Sequence, residues 1–281
     1  MPTANHLRAQ IEATLAERIP SALTPMARVA YPVVPTGIPE IDLLLHGGFP
    51  VGALSEVVGP ECSGRTSLAL AFVAGMTQSG KVCAWVDVSD TLHPESAAAM
   101  GVHLSRLLWV RCGSSPVTVP LPAIKRAPRS KSWARLEQAL RVTDLLLQAG
   151  GFSCIVLDMG SLNAEYALRV PLATWFRFRA AAERLQSNVL LLTQHACSRN
   201  SAGLVLRLEP GSVLAPDSTI FTGLERRAEL ARQRFPQSPG NVFPMRSTAG
   251  PTAGRGRQDR KQPQSVQTTQ WQGRTLWAGR S

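Results

Sequence analysis

Apolar and polar positions alternate in blocks along the central part of the chain. Short apolar runs of strand length are separated by longer segments whose apolar residues recur at helical spacing. The predicted strands are 53–58, 81–87, 106–110, 152–158, 188–193 and 204–208, and residues 219–235 favour a further strand or strand pair. The predicted helices are 67–76, 94–100, 132–149 and 171–186. Strands that alternate with helices indicate an α/β fold with a mostly parallel central sheet flanked by helices on both faces.

The N-terminal segment is predicted to stand outside this alternation. Residues 5–19 favour a short amphipathic helix, because aliphatic residues recur at every fourth position and form one stripe. Residues 20–36 carry four prolines and are typical of an extended linker. Such a helix packs on its own domain or docks on a neighbouring subunit, and the sequence leaves both open.

Two later segments also lack helical or strand periodicity. Residues 112–130 contain four prolines, which predicts an exposed insertion. Residues 236–281 are rich in Pro, Gly, Gln, Ser, Thr and Arg, a composition typical of disorder. The predicted organisation is therefore an N-terminal helix and linker over 1–35, a core over 36–235 and a basic, disordered tail over 236–281.

A phosphate-binding loop lies between the first core strand and the helix that follows it. The pattern G-x-x-x-x-G-K-[ST] places glycines where the backbone curls around a phosphate, and strand, loop and helix in that order point N–H groups at an anion. The matching residues are Gly59, Pro60, Glu61, Cys62, Ser63, Gly64, Arg65, Thr66 and Ser67. The pattern predicts ATP as the ligand. A glycine-rich turn without a ligand is the alternative.

Arg65 stands where the pattern has lysine. Arginine stays charged and can bind phosphate through two N–H groups, but its planar guanidinium is larger than an ammonium group and points differently. We expect nucleotide binding to survive and placement of the γ-phosphate for attack to change. That arginine works as well as lysine is the alternative.

Polar residues follow three of the other predicted strands. Asp158 ends an apolar run and, with the Thr66 hydroxyl, is the predicted support for Mg²⁺; a structural cap of the strand end is its alternative role. Gln194 follows the strand 188–193, where a carboxamide is placed to contact the γ-phosphate or its attacking water. Asp87 ends another strand and is expected to line the same crevice at the carboxyl ends of the strands.

The positive charge of the chain is concentrated in two segments. The net charge is +11, and residues 111–131 hold five basic residues and no acid, while 236–281 hold seven basic residues and one acid. Clustered basic charge points to a polyanion partner, most simply nucleic acid. The predicted DNA-contacting residues are Lys125, Arg126, Arg129, Lys131 and Arg199. Solvated segments without a partner are the alternative.

Two tryptophans, Trp271 and Trp277, lie in the basic tail. Tryptophans in such a context suit stacking on bases or docking into a partner pocket. Collapse of the tail onto its own domain is an equally open alternative.

Cysteine usage and hydropathy indicate the compartment. The five cysteines are scattered and form no C-x-x-C pair, which argues against zinc and disulfides. No apolar run is long enough to span a membrane, and residues 1–18 lack the order of a signal peptide. We expect a cytoplasmic protein with reduced thiols and no membrane partner.

With these motifs placed, the chain resembles the RecA family of recombinases over residues 36–234. The resemblance rests on Thr36-Gly37 followed by Asp42, on residues 47–52, on the phosphate loop, and on Val86-Asp87, Asp158 and Thr193-Gln194. It implies a RecA-like P-loop core that binds ATP and Mg²⁺, and an N-terminal helix that docks on a neighbouring subunit. It also implies DNA as a partner and a role in DNA repair or recombination.

The departures from the family pattern are as informative as the matches. The family activates its attacking water with a glutamate two residues after the aspartate that matches Asp87, and Ser89 stands there, which cannot act as a base at neutral pH. The next residue, Asp90, faces the other way if the strand continues. The loop after Gln194, which contacts single-stranded DNA in RecA, is reduced to residues 195–203, and we expect the basic tail in place of the family's C-terminal globular domain.

These changes together resemble the ImuA-type proteins of bacterial mutagenesis cassettes, as do residues 206–209 and 221–234. That resemblance implies an accessory factor in SOS-induced translesion synthesis, with polymerase-type or RecA-type partners and little or no DNA-dependent ATPase activity. Two alternatives stay open: an active DNA-dependent ATPase recombinase, and an interaction protein with an empty, degenerate P-loop. No catalytic residue is assigned.

Overall fold

The computed structural model describes residues 6–7, 32–113, 131–214, 223–234 and 267–274. The strands are β1 Val33–Val34, β2 Phe49–Pro50, β3 Leu54–Val58, β4 Cys83–Asp87, β5 Leu107–Arg111, β6 Cys154–Asp158, β7 Asn188–Thr193, β8 Leu204–Leu214, β9 Gly223–Gln233 and β10 Thr268–Arg274. The helices are α1 Pro39–Leu44, α2 Arg65–Gln78, α3 Pro94–Ala99, α4 Lys131–Ala149, α5 Ala164–Leu168 and α6 Leu172–Leu185, with 3₁₀ turns at Leu104–Arg106 and Arg199–Ser201.

Eight strands form one sheet in the order β10-β9-β8-β3-β7-β6-β4-β5, and β1 and β2 form a separate antiparallel pair. The pairs from β8 to β5 are parallel, whereas β8, β9 and β10 pair antiparallel. Helices cover both faces, as parallel strands require. The predicted α/β fold with a mostly parallel, helix-flanked sheet is thereby confirmed.

The sheet is buried on both faces by two separate apolar clusters. On one face α2 packs through Leu68 and Phe72, and the Phe72 ring meets Phe49 edge-on with centroids 5.0 Å apart. On the other face α4 and α6 cover the sheet, with Trp175 and Phe178 fully buried in edge-to-face contact. All five residues of each of β3, β4 and β6 are buried, including the polar Ser55 and Glu56 in the middle of β3, as expected for parallel strands that are covered on both faces.

The parallel register brings the carboxyl ends of the central strands to one edge. Asp87 of β4 pairs with Asp158 of β6, and Asp158 pairs with Leu192 of β7. Val58, the last residue of β3, pairs with Thr193, so Gln194 follows directly beside the start of the phosphate loop. The residues that the sequence placed at three separate strand ends therefore share one edge of the sheet.

The tail was predicted to be disordered, and for residues 268–274 this expectation is wrong. They form β10, which pairs in register with β9 and buries Trp271 in the cluster that α2 covers. Of the two interpretations of Trp271, the structure supports packing on its own domain, while Trp277 lies outside the described residues. The composition of the segment is polar, so the strand is stabilised by cross-strand pairing and one large anchor rather than by an apolar pattern.

Other boundaries also differ from the expectations. The strand predicted at 204–208 continues to Leu214, and the described part of 219–235, residues 223–234, contains a single strand, β9. Helices α1 and α5 were not predicted. Of the predicted helix 5–19 the structure describes only His6 and Leu7, which are helical and exposed, and residues 114–130 of the predicted insertion lie outside the described residues.

Within the described part of the chain, no helix has the length and apolar character needed to cross a bilayer.

Gly48 and Gly75 provide a matched test of the fold. A Cβ on Gly48, whose φ is 131°, would lie 2.0 Å from the carbonyl oxygen of Val34, whereas a Cβ on Gly75, exposed within α2, would meet nothing within 4 Å. We expect Gly48→Ala to lower the free energy of unfolding by about 2 kcal/mol or more and Gly75→Ala to raise it by about 0.5–1 kcal/mol. Urea unfolding of both variants measures this, and equal effects would contradict the packing of β1 against β2.

Candidate functional site

The phosphate loop connects β3 to α2 and leaves the start of that helix open. Gly64 caps α2 with a left-handed φ of 92°, a conformation that suits glycine, and Cys62 also has a positive φ of 62°. The N–H groups of the first helical turn have no partner within the helix, and the helix dipole is positive at this end. The Ser63 side chain is fully buried, yet its Oγ has no hydrogen-bond partner. The loop therefore presents unsatisfied donors to an anion.

Arg65 lies at the floor of the loop and is only 8% exposed. Its Nη2 donates to the carbonyl oxygen of Gly160 at 3.1 Å, while its buried Nη1 has no partner. Burial lowers the pKa of Arg65, and the negative charges of Asp158 and Glu61 act in the opposite direction. A buried guanidinium with an unused donor is costly, and a phosphate oxygen would satisfy it.

The Gly160 carbonyl oxygen joins the phosphate loop to two strand ends. It accepts from Arg65 and also from Gln194 Nε2, at 3.0 Å, so both side chains share one acceptor. Asp158 Oδ1 accepts from the Gly160 N–H at 3.0 Å, which holds the turn after β6 in place. We call Arg65, Asp158, Gly160 and Gln194 the strand-end cluster.

Asp158 is nearly fully buried within this cluster. Burial raises the pKa of Asp158 to about 6, with Asp87 acting in the same direction, while the Gly160 N–H and Arg65 oppose the shift. A carboxyl with this pKa is mostly ionised at neutral pH and gains from a cation. It therefore suits a role beside Mg²⁺ held mainly by phosphates.

The region around Ser89 carries no free base among the described residues. The Asp87 carboxylate accepts from the N–H groups of Ser89, Thr91 and Leu92 at 2.8–3.2 Å, so it organises its own loop. Ser89 is half-buried, and Asp90 pairs with Arg111 through two contacts of 2.6 Å. The Asp90 carboxylate is thus directed at β5.

The residues present fit a bound nucleotide. A cavity of about 270 Å³ is lined by residues 62–67 together with Leu224 and Arg226. Its lining residues include Arg65, whose Nη1 has no partner, and the exposed residue Thr66. Cationic and N–H donors in one cavity at a helix start suit a phosphate chain, and the Thr66 hydroxyl and Asp158 carboxylate offer the oxygen ligands that Mg²⁺ prefers.

A buried carboxylate fixes the loop that follows Gln194. Glu56 in the middle of β3 is fully buried and accepts from Thr193 Oγ1 at 3.3 Å and from the Cys197 N–H at 2.7 Å. It also accepts from both the N–H and the hydroxyl of Ser198. Residues 195–201 are therefore tied to the core of the sheet.

The predicted DNA-contacting residues are only partly described. Lys131 is exposed at the start of α4, and Arg199 is exposed in the 3₁₀ turn beyond Ser198, where its carbonyl oxygen accepts from Arg232. Lys125, Arg126 and Arg129 lie outside the described residues. The structure shows no contact between Lys131 and Arg199 that would make them one patch.

Sequence reasoning missed three residues that shape this site, namely Glu56, Gly160 and Arg226, and it placed Trp271 in a disordered tail rather than in a strand. Gly160 carried one usable signal, since it comes two residues after Asp158. Glu56 carried another, as a lone acid in an otherwise apolar strand. Arg226 reaches the loop through pairings distant in sequence, for which no local pattern exists.

The raised pKa of Asp158 predicts a pH-dependent contribution to stability. Because the pKa is higher in the folded state than the ordinary 3.8, the contribution is fully present below pH 4 and is lost as pH rises through about 6. We expect the difference in unfolding free energy between the wild type and Asp158→Asn to fall by roughly 2–3 kcal/mol across that range. Urea unfolding at pH 4, 5, 6 and 7 measures it, and parallel pH profiles for the two proteins would contradict it.

Two serine–glutamate hydrogen bonds test the anchoring of the loop. Ser198→Ala removes the hydroxyl from buried Glu56 and should cost roughly 1.5–3 kcal/mol, because a buried carboxylate loses a donor. Ser212→Ala removes a similar bond to Glu225 at 2.8 Å on the surface and should cost less than about 0.5 kcal/mol. Thermal and urea unfolding compare the two, and equal costs would show that Glu56 does not hold the loop.

Comparison with known proteins agrees with the geometry. The RecA N-terminal domain family matches residues 8–116. The Protein RecA of Acidothermus cellulolyticus is 34% identical over 154 residues, which is 54% of this chain and 39% of that protein. The Protein RecA of Salinispora tropica is 39% identical over 127 residues, which is 45% of this chain and 30% of that protein. The matched part thus spans about a third of the length of these relatives.

A solved structure, the crystal structure of the RadB recombinase, is also similar. It is 25% identical, the match covers 71% of this chain and 90% of that chain, and the TM-score is 0.49. The chain is thus similar in sequence to the RecA N-terminal domain over residues 8–116 and to RecA proteins over about half of its length, and its phosphate loop lies between β3 and α2 at the carboxyl edge of a parallel sheet.

Proposed function

We propose that this chain is a RecA-like protein that binds ATP with Mg²⁺ and hydrolyses it slowly or not at all. The observation that carries the proposal is the pair of buried, unpartnered donors in the loop, Arg65 Nη1 and Ser63 Oγ, at the open start of α2. A phosphate chain would satisfy both donors and the helix N–H groups together.

Different residues of the site would bind the phosphates, support Mg²⁺ and respond to the bound nucleotide. The N–H groups of residues 62–67 and the Arg65 guanidinium would hold the phosphates. The Thr66 hydroxyl and Asp158 would support Mg²⁺, which neutralises phosphate charge when bound. Gln194 would respond to bound phosphate, because it and Arg65 donate to the same Gly160 carbonyl oxygen. A phosphate that draws Arg65 away from Gly160 would change the hydrogen bonding of Gln194 and the position of the loop after it.

Slow hydrolysis follows from the surroundings of Ser89. A serine cannot take a proton from water at neutral pH, and the nearest acids are engaged, Asp87 by three N–H groups and Asp90 by Arg111. A positioned general base contributes about 10²–10⁴-fold to such a step. The site is therefore suited to a nucleotide-dependent switch rather than to rapid turnover.

The biological role that we propose is an accessory one in the bacterial response to DNA damage. The similarity to RecA proteins supports a role in DNA repair or recombination, and the ImuA-type resemblance narrows this proposed role to SOS-induced translesion synthesis in the cytoplasm. The partners would be single-stranded DNA, bound through Lys125, Arg126, Arg129, Lys131 and Arg199, and a polymerase-type or RecA-type protein. A second copy of the chain would dock through the helix at 5–19. The Glu56 anchor supports a role other than strand exchange, because it holds the loop after Gln194 instead of leaving it free to follow DNA.

The first experiment measures ATP binding and hydrolysis by the purified protein with and without single-stranded DNA. We expect micromolar or tighter Mg-ATP binding and little turnover in either condition, since the cradle is complete and the base is missing. The double variant Arg65→Lys, Ser89→Glu should gain DNA-dependent turnover by at least tenfold. Calorimetry and phosphate release are the measurements.

Each outcome decides between the alternatives. DNA-stimulated turnover in the wild type would overturn the proposal in favour of an active recombinase. Absence of any nucleotide binding, with no rise in melting temperature, would favour an interaction protein with an empty loop. Ser89→Ala serves as the control, since it changes the same position without adding a base.

A further inference from the structure

Strand β9 places an arginine directly on the phosphate loop. A Cβ built on Gly64 would lie 2.4 Å from Arg226 Cδ and 2.5 Å from Arg226 Nε. The side chain therefore crosses the residue that caps α2, and it lines the same cavity of about 270 Å³ as Arg65 and Thr66. Arg226 reaches this position from the antiparallel part of the sheet, far from the loop in sequence.

Strand β10 packs a tryptophan against the Arg226 side chain. Trp271 is paired with Arg226 across the two strands, and the Arg226 Cζ lies 5.9 Å from the centroid of the indole ring. Trp271 itself is 3% exposed and its Cζ2 would lie 3.2 Å from a Cβ on Gly64. The indole thus limits where the guanidinium can go and turns it toward the loop.

Arg226 has no counter-charge in the described part of the chain. Its Nε is buried and has no hydrogen-bond partner, and none of the described ion pairs includes it. Burial lowers the pKa of Arg226, and the Cys62 thiol is the group whose charge acts in the opposite direction. A cation at a helix N-terminus is also repelled by the helix dipole.

Two arginines that each have a buried donor without a partner therefore line the same cavity: Arg65 at the start of α2 and Arg226 on β9. The unpartnered Nη1 of Arg65 is evidence for an anion site that does not depend on the helix N-terminus, since the Arg65 side chain is more than nine-tenths buried. Two guanidinium groups, a buried hydroxyl and the N–H groups at the helix start together suit a ligand that carries several anionic oxygens.

We propose that Arg226 is a phosphate-binding residue of this site, supplied by β9 of the same chain and positioned by Trp271 of β10. The proposal rests on the proposed nucleotide binding and extends it: the ligand is a polyphosphate held between Arg65 and Arg226, and its affinity depends on the docking of β10. Trp271 is a positioning residue, since it acts through Arg226.

The test measures affinity for Mg-ATP and for inorganic tripolyphosphate by calorimetry, with thermal melting as a second readout. We expect Arg226→Gln to weaken both ligands by about 10- to 100-fold, since a charge-assisted hydrogen bond to phosphate is lost. Arg227→Gln is the matched control, because Arg227 is the neighbouring residue of β9, is exposed and does not line this cavity. It should leave both affinities within about twofold.

The role of Trp271 is tested by a double-mutant cycle with Arg226→Gln. Trp271→Ala should weaken tripolyphosphate binding several-fold when Arg226 is present and have little further effect in the Arg226→Gln variant. Trp271→Phe keeps an aromatic anchor and should retain most of the affinity, which separates positioning from a failure of β10 to fold. Additive losses would overturn the positioning role.

The remaining outcomes separate this proposal from the function on which it rests. If the wild type binds ATP and Arg226→Gln binds it equally well, Arg226 is not a phosphate ligand while nucleotide binding stands. If Arg226→Gln binds more tightly, the arginine blocks the loop, and the proposal is again overturned. If the wild type binds neither ligand, both proposals fail.

Discussion

A single backbone carbonyl, that of Gly160, holds the candidate site together. It accepts from Arg65 at the start of α2 and from Gln194 beyond β7, while the Gly160 N–H is held by Asp158 at the end of β6. These three elements meet only because the parallel register brings their strand ends to one edge of the sheet. The carbonyl satisfies one donor of the Arg65 guanidinium and leaves Nη1 unpartnered, so the same interaction that orders the edge also leaves it ready for an anion.

Much of this arrangement could be predicted from local sequence. The strand, the glycines at 59 and 64 and the following helix are encoded within some 25 consecutive residues, and Asp158 and Gln194 each follow a continuous apolar run that ends at the edge of a parallel sheet. Local patterns suffice here because each residue is placed by its own strand or turn, and the parallel topology brings the ends of those strands to one edge of the sheet. The short boundary errors, such as the helix that begins at Arg65 rather than Ser67, follow from caps that glycine provides without a side-chain signal.

The antiparallel part of the sheet could not be predicted in this way. Strand β10 is polar in sequence, and its pairing with β9 joins positions that are distant along the chain, such as Arg226 and Trp271. Such pairing is set by cross-strand contacts and burial, which leave little trace in periodicity. Consequently, no local sequence motif predicts that Arg226 contacts the phosphate loop. Glu56 was missed for another reason: an acid within a buried strand is a visible anomaly in the sequence, but its role is defined only by donors on a distant loop.

The Glu56 anchor has a consequence for how this chain can change during evolution. A fully buried carboxylate that depends on Cys197 and Ser198 penalises any insertion that would carry those residues away from β3. Lengthening the loop after Gln194 therefore requires the strand residue to be replaced at the same time, and either change alone would be selected against through lost stability. The short loop and the acid in the strand are thus structurally coupled, and a chain that has both does not readily accept a longer loop at this position.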